Sequence, residues 1–205
     1  MKLFYSLLAS ALLLTACEKK TKTEVVDPAP EATLNRSINY TQQNSVYTAT
    51  YTGNNLLEAQ ALIDGDQIIV GLFATPKVNN STGDGVAFKL AKSHLQTGLA
   101  KTYNLDAQIA PAVASARYNH MWQKENGGFW SSIHETSMGL KIEGTLTIAT
   151  YDAERKLLSG SFNMVIRDLI SDPMRYDGPS TIDPTKVSTV TVTGTFKNLK
   201  LKPIE

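Results

Sequence analysis

Cysteine is nearly absent from this chain of 205 residues, which contains one cysteine, Cys17, and three histidines. A single cysteine cannot form a disulfide within the chain, so a folded domain has to rely on its core. The common enzyme signatures are also missing: the sequence has no Gly-x-Ser-x-Gly, no His-Glu-x-x-His, no phosphate-binding loop and no pair of cysteines. We therefore expect no enzyme activity, no catalytic residues and no cofactor.

Paired carboxylates that could do acid–base chemistry are poorly placed. Asp152 with Glu154, and Asp168 with Asp172, are close in sequence but fall in segments that read as turn or loop. Such a pair can work as acid and base only if burial raises the pKa of one of its two carboxylates. Turn positions leave carboxylates in water, which supports the expectation that the protein is not an enzyme.

An excess of charge of either sign is lacking as well. The chain has 20 basic and 19 acidic side chains, and loss of residues 1–16 would remove one base, Lys2, and no acid. Binding to nucleic acid requires a concentrated basic surface. We therefore expect no nucleic-acid partner.

No apolar run is long enough to span a bilayer as a permanent helix. The most apolar stretch, residues 7–14, follows Lys2 and ends at Leu-Thr-Ala-Cys, with the cysteine at position 17. This pattern resembles the bacterial lipoprotein signal, which implies cleavage before Cys17 and acylation of that residue. The alternative is a free thiol at the end of an ordinary signal peptide. Acylation would attach the protein to the lipid bilayer through Cys17.

The residues after Cys17 indicate to which membrane the protein is attached. Glu18 follows it, rather than the aspartate that resembles an inner-membrane retention signal, and no acidic run comes next. We expect the outer membrane and the periplasmic face. Three regions are predicted: a signal peptide (residues 1–16), a lipidated cysteine with a flexible Pro-containing linker (17–36), and one β domain (37–205).

Alternation of apolar and polar residues is the strongest pattern present. In residues 144–167, Leu146 and Ile148 alternate with threonines, and Phe162, Met164 and Ile166 repeat with period two. Such alternation predicts a β-hairpin with one apolar face, which turns at residues 152–156. An odd number of loop residues would bring both apolar sets to the same face, with Ile148 opposite Leu158 or Gly160.

Two further hairpins and a closing strand are also predicted. Asp64-Gly65-Asp66 and Asn126-Gly127 are typical of tight turns between strands. Residues 187–201 form the last strand, where a bulge near Gly194 or Asn198 is needed to absorb a change of parity. The fold class is therefore all-β, after a signal peptide and a flexible linker.

The order Gly144-Thr-Leu-Thr-Ile, Leu158-Ser-Gly-Ser-Phe and Val190-Thr-Val-Thr-Gly-Thr-Phe resembles small exported lipoproteins of Bacteroidetes. The resemblance covers roughly the last sixty residues. The pattern is similar to that of calycin-like folds. It implies an antiparallel curved sheet or an up-and-down barrel. It carries over no catalytic residue, because the shared positions are strand, glycine and turn positions.

His120 and His134 flank the Asn126-Gly127 turn and are the most plausible pair of metal ligands. A two-residue turn would place them on opposite faces of the sheet, and a three-residue turn would place them directly opposite each other. Two histidines still lack the third and fourth ligands of a zinc site. We expect no metal.

Aromatic residues are concentrated in the same hairpin and suggest where a ligand would bind. The long unpatterned loop, residues 168–186, adds further apolar side chains that could cover an opening. The candidate ligand-binding residues are Tyr118, Trp122, Phe129, Trp130, Met174 and Tyr176. We expect a small apolar or sugar-like (glycan) ligand, or alternatively a structural role in which the domain docks an envelope protein partner.

Overall fold

The structure is a computed structural model that describes residues 26–53, 56–77, 81–106, 114–123, 128–170 and 187–204. The predictions for the signal peptide, Cys17, Met174 and Tyr176 concern residues outside these ranges. No helix within the described ranges is long and apolar enough to cross a membrane.

Strands dominate the described residues, and eleven of them form one sheet. They are β1 (Glu31–Tyr40), β2 (Ser45–Thr52), β3 (Glu58–Asp64), β4 (Gln67–Ala74), β5 (Thr82–Ala91), β6 (Thr102–Asn104), β7 (Ser115–Gln123), β8 (Phe129–Glu135), β9 (Ile142–Asp152), β10 (Leu157–Leu169) and β11 (Ser188–Pro203). One helical turn, α1 (His94–Thr97), lies between β5 and β6, and 3₁₀ turns cover Thr41–Gln43 and Thr136–Met138.

The sheet is strongly curled and forms a half-barrel, so the predicted all-β curved sheet is confirmed. Its strand order is β6-β9-β10-β11-β3-β4-β5-β7-β8, and the β1–β2 hairpin branches from β11 through β1. The first ten residues of β11 pair with β1, while Leu201–Pro203 pair with β3. This short β11–β3 pairing is parallel, so the sheet is mixed rather than purely antiparallel.

The predicted central hairpin is the β9–β10 pair. Ile148 lies opposite Gly160, as predicted, but the turn has four residues, 153–156, between paired Asp152 and Leu157. The predicted odd loop is therefore wrong. A bulge between Ser159 and Gly160 supplies the one-residue shift instead, so both apolar sets still reach the interior.

Glycine and phenylalanine face each other twice across the β10–β11 pair. Gly160 lies opposite Phe196, and Phe162 lies opposite Gly194. A Cβ atom built on Gly160 would stand 2.7 Å from the Phe196 ring, and one on Gly194 would stand 2.6 Å from the Phe162 ring. Each ring covers the glycine across from it, so these two positions leave no room for a side chain.

Aliphatic and aromatic side chains fill the interior of the half-barrel. Every predicted core residue of the last three strands is buried, namely Leu146, Ile148, Phe162, Met164, Ile166, Val192 and Phe196. The Phe162 and Phe88 rings meet at 5.0 Å between centroids, which joins β10 to β5 across the interior. The predicted bulge in the last strand lies at Asn198, which has a positive φ of 56°.

The N-terminal boundary of the domain differs from the prediction. The sequence predicts a linker up to residue 36, but residues 31–36 form the first part of β1. Ala32, Leu34, Ile38 and Tyr40 do alternate along this strand, and Arg36 occupies the inward position between Leu34 and Ile38. A charged residue at an inward position interrupts the apolar period, so the sequence pattern predicts a later start for the strand.

Candidate functional site

A buried carboxylate, Asp84, lies near the beginning of β5 with its side chain inside the half-barrel. It is fully buried, as is Val86, the next inward residue on the same strand. Its neighbours come from two directions: β7 pairs with β5 and contributes Tyr118 and His120, while the β1–β2 hairpin contributes Arg36 and Tyr51. We call these five residues and His134 the Asp84 cluster.

Four donors share the two oxygens of Asp84. Its Oδ1 accepts hydrogen bonds from Tyr118 Oη and His120 Nδ1, both at 2.7 Å. Its Oδ2 accepts from Tyr51 Oη at 2.6 Å and from Arg36 Nε at 3.2 Å. The carboxylate therefore has about as many hydrogen bonds as it can accept.

The charges of the cluster compensate one another. Burial alone would raise the pKa of Asp84, but the hydrogen bond from His120 and the charge of Arg36 lower it to about 2. Burial acts to lower the pKa of Arg36, yet the adjacent Asp84 raises it. Burial and the same carboxylate also raise the pKa of Tyr51. Asp84 is thus ionised, and His120 donates from Nδ1 because a carboxylate can only accept.

His134 on β8 completes the cluster behind Tyr118. The two rings are nearly parallel, 15° apart, with their centroids separated by 6.1 Å. Ser132 Oγ lies 3.0 Å from His134 Nε2. Burial, and then the nearby His120, lower the pKa of His134 to about 4. His134 is therefore neutral at pH 7.

The cluster connects two parts of the sheet that are not adjacent along it. Arg36 and Tyr51 belong to the β1–β2 hairpin, and the other members belong to β5, β7 and β8. Arg36 Nη1 also donates to the backbone oxygen of Tyr47 on β2 at 2.9 Å. Because Asp84 is saturated with donors from its own chain, the cluster acts as a joint across the interior and does not offer an open binding position.

The two predicted arrangements of His120 and His134 are both wrong in register. Tyr118 lies opposite His134 and His120 lies opposite Ser132, because residues 124–128 separate the paired strand ends. The histidines therefore share the inner face as diagonal neighbours. Within the described ranges, no group of three or more His, Cys, Asp or Glu side chains is arranged to hold a metal ion.

Of the predicted ligand-binding residues, the structure describes the side chains of Tyr118 and Trp122. Tyr118 is fully buried and donates to Asp84, so it is not available to a ligand. Trp122 is half-buried and lies opposite Thr82 on β5 and Trp130 on β8. Phe129 is placed only by its backbone pairing, and the Phe129 and Trp130 side chains lie outside the described structure.

A groove of about 930 Å³ opens instead on the outer surface of the half-barrel. Its lining combines small side chains with hydroxyl groups and a few charged or amide groups. The strands contribute Thr33, Thr150, Ser159, Ser161, Thr195 and Asn198, with Glu31 and Lys197 as the charged members. Its volume is within the usual range of sites for small ligands.

The segment before β1 forms one wall of this groove through Ala29 and Pro30. Asp27 pairs with Lys200 Nζ at 2.7 Å and with Arg155 Nε at 3.2 Å, and the hydrogen bond from Lys200 lowers the pKa of Asp27. Asn198 Nδ2 donates to Ala29 O at 3.4 Å. These contacts hold the segment against the turn of the β9–β10 hairpin.

Sequence reasoning missed both features, for two different reasons. Arg36 falls in the predicted linker and Asp84 in no predicted strand, because polar residues interrupt the apolar period at these positions. The groove is built from threonine, serine and glycine on four different strands, and such residues carry no signal when taken one at a time. The only available signal was the inward parity of Arg36 with Leu34 and Ile38.

Comparison with protein-family models, curated proteins and solved structures finds no match for this chain.

Proposed function

We propose that this protein is a non-catalytic lipoprotein that binds a small sugar-like ligand in the groove on its outer surface. The observation that supports this most directly is the groove itself, with its volume of about 930 Å³ and with threonine and serine hydroxyls set among alanine, glycine and proline. Hydroxyl, amide and charged side chains can exchange hydrogen bonds with the hydroxyl groups of a sugar. An apolar ligand inside the half-barrel is less well supported, because side chains fill that interior.

The proposed anchor places this groove close to the membrane attachment point. Ala29 and Pro30 line it, and only twelve residues separate Cys17 from Pro30 in the chain. The ligand would therefore be a glycan of the bacterial envelope. The proposed location is the periplasmic side of the outer membrane.

Blocking the groove tests the binding function. We expect Ser161→Trp, which places an indole in the groove, to weaken binding of soluble oligosaccharides at least tenfold. Asn163→Trp is the matched control, since Asn163 is exposed on the same face of β10 two residues further along and does not line the groove. Titration of both variants and the parent chain with a panel of linear oligosaccharides, followed by NMR, measures the difference. Equal affinities in the two variants would contradict the proposed site.

Lipidation is tested separately. Cys17→Ala is expected to abolish incorporation of a palmitate analogue and to leave the precursor uncut. Label retained in that variant would contradict lipidation at Cys17 and would leave the proposed binding groove untested by this experiment.

A second candidate function, docking of an envelope protein partner, is favoured by a different observation. The edge strand β2 exposes Val46 and Tyr47, which are 58% and 46% accessible. Docking would be favoured over ligand binding by two results together. The protein would bind no oligosaccharide, and it would capture a protein partner equally well with and without Ser161→Trp.

A further inference from the structure

β2 is a sheet edge without the usual protection against pairing. Within the described ranges it pairs only with β1, over eight residues and without a bulge. Its sequence, Ser-Val-Tyr-Thr-Ala-Thr-Tyr-Thr, contains no charged residue and no proline. Proteins commonly protect long edge strands with lysine, proline, bulges or short length. The other two ends of the sheet show such features, since β6 has three residues and β8 ends in Glu135.

The sequence of β2 is also nearly symmetric about Ala49. Thr48 and Thr50 flank it, followed by Tyr47 and Tyr51 on either side. Threonine and tyrosine therefore occupy equivalent positions in both directions along the strand. A two-fold axis through Ala49 would place Thr48 opposite the partner's Thr50 and Tyr47 opposite the partner's Tyr51 in an antiparallel pair. Thr–Thr and aromatic cross-strand pairs are favourable.

The Asp84 cluster holds this edge in place before any partner arrives. Tyr51 Oη donates to Asp84, and Arg36 Nη1 donates to Tyr47 O, so two positions of β2 are fixed to the buried charge. Tyr47 packs edge-on against Tyr40, with ring centroids 5.8 Å apart. A strand that is already ordered loses little conformational entropy on pairing.

We infer that two copies of this chain associate through their β2 strands, which pair antiparallel about Ala49 in a two-fold symmetric dimer. The interface joins the two half-barrels through a continuous sheet. Each contact is made twice, as two-fold symmetry requires. The buried surface is small, so we expect a dissociation constant in the micromolar range.

A charge-pair experiment tests both the dimer and its register. The double variant Thr48→Lys with Thr50→Lys puts like charges directly opposite each other, whereas Thr48→Lys with Thr50→Glu puts opposite charges there. Both variants lose the Thr50 hydroxyl bond to Asn35 equally, so their folding is matched. Sedimentation equilibrium of the full chain in detergent, from low micromolar to about 1 mM, should give dimers for the parent and the lysine–glutamate variant. The two-lysine variant should dissociate at least tenfold more readily.

Cross-linking measures the symmetry directly. In a Cys17→Ala background, Ala49→Cys places each new thiol opposite its own copy, and oxidation should give a disulfide-linked dimer. Val46→Cys is the control, because Val46 is more exposed but lies opposite the partner's Thr52 in this register. A parent chain that stays monomeric throughout would overturn the proposal. Equal masses for the two charge variants, or equal cross-linking of the two cysteine variants, would also overturn it. Cross-linking to a different protein would assign the edge to another partner's strand.

Discussion

Asp84 is the residue on which the interior depends most. Arg36, Tyr51, Tyr118 and His120 all donate to it, and all of these donors except the partly buried Tyr51 are buried. A buried donor that loses its partner carries the full cost of its desolvation, and a buried cation carries more. Loss of the Asp84 carboxylate should therefore cost more than loss of any one of its donors.

Replacing Asp84 by asparagine should be strongly destabilising although the two side chains have the same shape. The amide nitrogen cannot accept, so one side of the new group faces donors and the charge of Arg36 is left uncompensated. We expect a loss on the order of 3–5 kcal/mol in the free energy of unfolding. The urea midpoint measures this. Asp66→Asn, in the exposed turn between β3 and β4, should be nearly silent; similar losses for the two variants would contradict the role of the cluster.

His134 gives the domain a dependence on acid. Its folded pKa is about 4, whereas an unfolded histidine titrates near pH 6.5. Between these values the unfolded chain binds more protons, so stability falls as the pH drops from about 6.5 to about 4 and the effect of His134 is complete below that. The contribution is at most on the order of 3 kcal/mol.

The measurement is a series of urea unfolding curves across this pH range. The free energy of unfolding is plotted against pH, and His134 contributes part of the slope of this plot. In His134→Phe that part should disappear, whatever the absolute stability of the variant. An unchanged slope would mean that His134 is already protonated in the folded protein or is accessible to water.

At the scale of single elements, the hairpins were predictable from sequence and the charged strands were not. β9 and β10 show a clean period of two, and the β3–β4 turn contains Gly65 with a positive φ of 56°. β1 and β5 are equally regular in the structure, but Arg36 and Asp84 occupy inward positions and break the apolar pattern. The prediction thus failed at the residues that form the Asp84 cluster, because local pattern and tertiary pairing disagree there.

The parity of the central hairpin illustrates a second limit. A one-residue shift was required, and a loop of odd length and a bulge supply the same shift. The alternation along the strands determines only the total shift in register, and does not determine whether the loop or a bulge supplies it. The structure uses a bulge, because Ser159 lies opposite Thr150 and Gly160 lies opposite Ile148, which leaves Ala149 as the extra residue on β9. On the other side of β10, Ser159 Oγ accepts a hydrogen bond from Asn198 N at 3.0 Å, where β10 and β11 also change register.

The apolar face of β10 is the element-level feature with the clearest mutational consequence. Phe162 contacts Phe88 across the interior and covers Gly194, while Asn163 points outward. Phe162→Ala should cost about 3–5 kcal/mol, and Asn163→Ala should cost less than about 0.5 kcal/mol. Urea midpoints compare the two directly. Equal midpoints would mean that β10 does not alternate between an inward and an outward face.

For the whole molecule, β11 is the strand that unites the sheet. It pairs with β10 on one side, and on the other it pairs first with β1 and then with β3. The pairing of Glu31 with Lys197 joins the two ends of the described chain. No local sequence pattern predicts the three-residue parallel pairing of β11 with β3, because the two strands are more than 130 residues apart in the chain. Such non-local pairing also makes folding slow.

Deletion of residues 188–205 should therefore abolish cooperative folding of the whole domain. The deletion removes Val190, Val192, Phe196, Leu199 and Leu201 from the core. It also separates the β1–β2 hairpin from its pairing partner in the sheet, so that the Asp84 cluster and the apolar contacts of Leu34, Ile38 and Tyr40 would have to join these two parts. Four hydrogen bonds to one carboxylate cannot replace a strand, since each contributes only about 1–3 kcal/mol net.

Ending the chain after Pro203 is the control for this deletion, because it removes only Ile204, which is half exposed, and Glu205. That variant should unfold with nearly the parental urea midpoint, while the longer deletion should show no cooperative transition by circular dichroism. Adding a peptide of residues 187–205 to the deleted chain should restore part of the transition, because the missing strand can enter between β10, β1 and β3. A cooperative transition in the deleted chain alone would mean that β3, β4, β5, β7 and β8 fold independently, and that the half-barrel consists of two separable units.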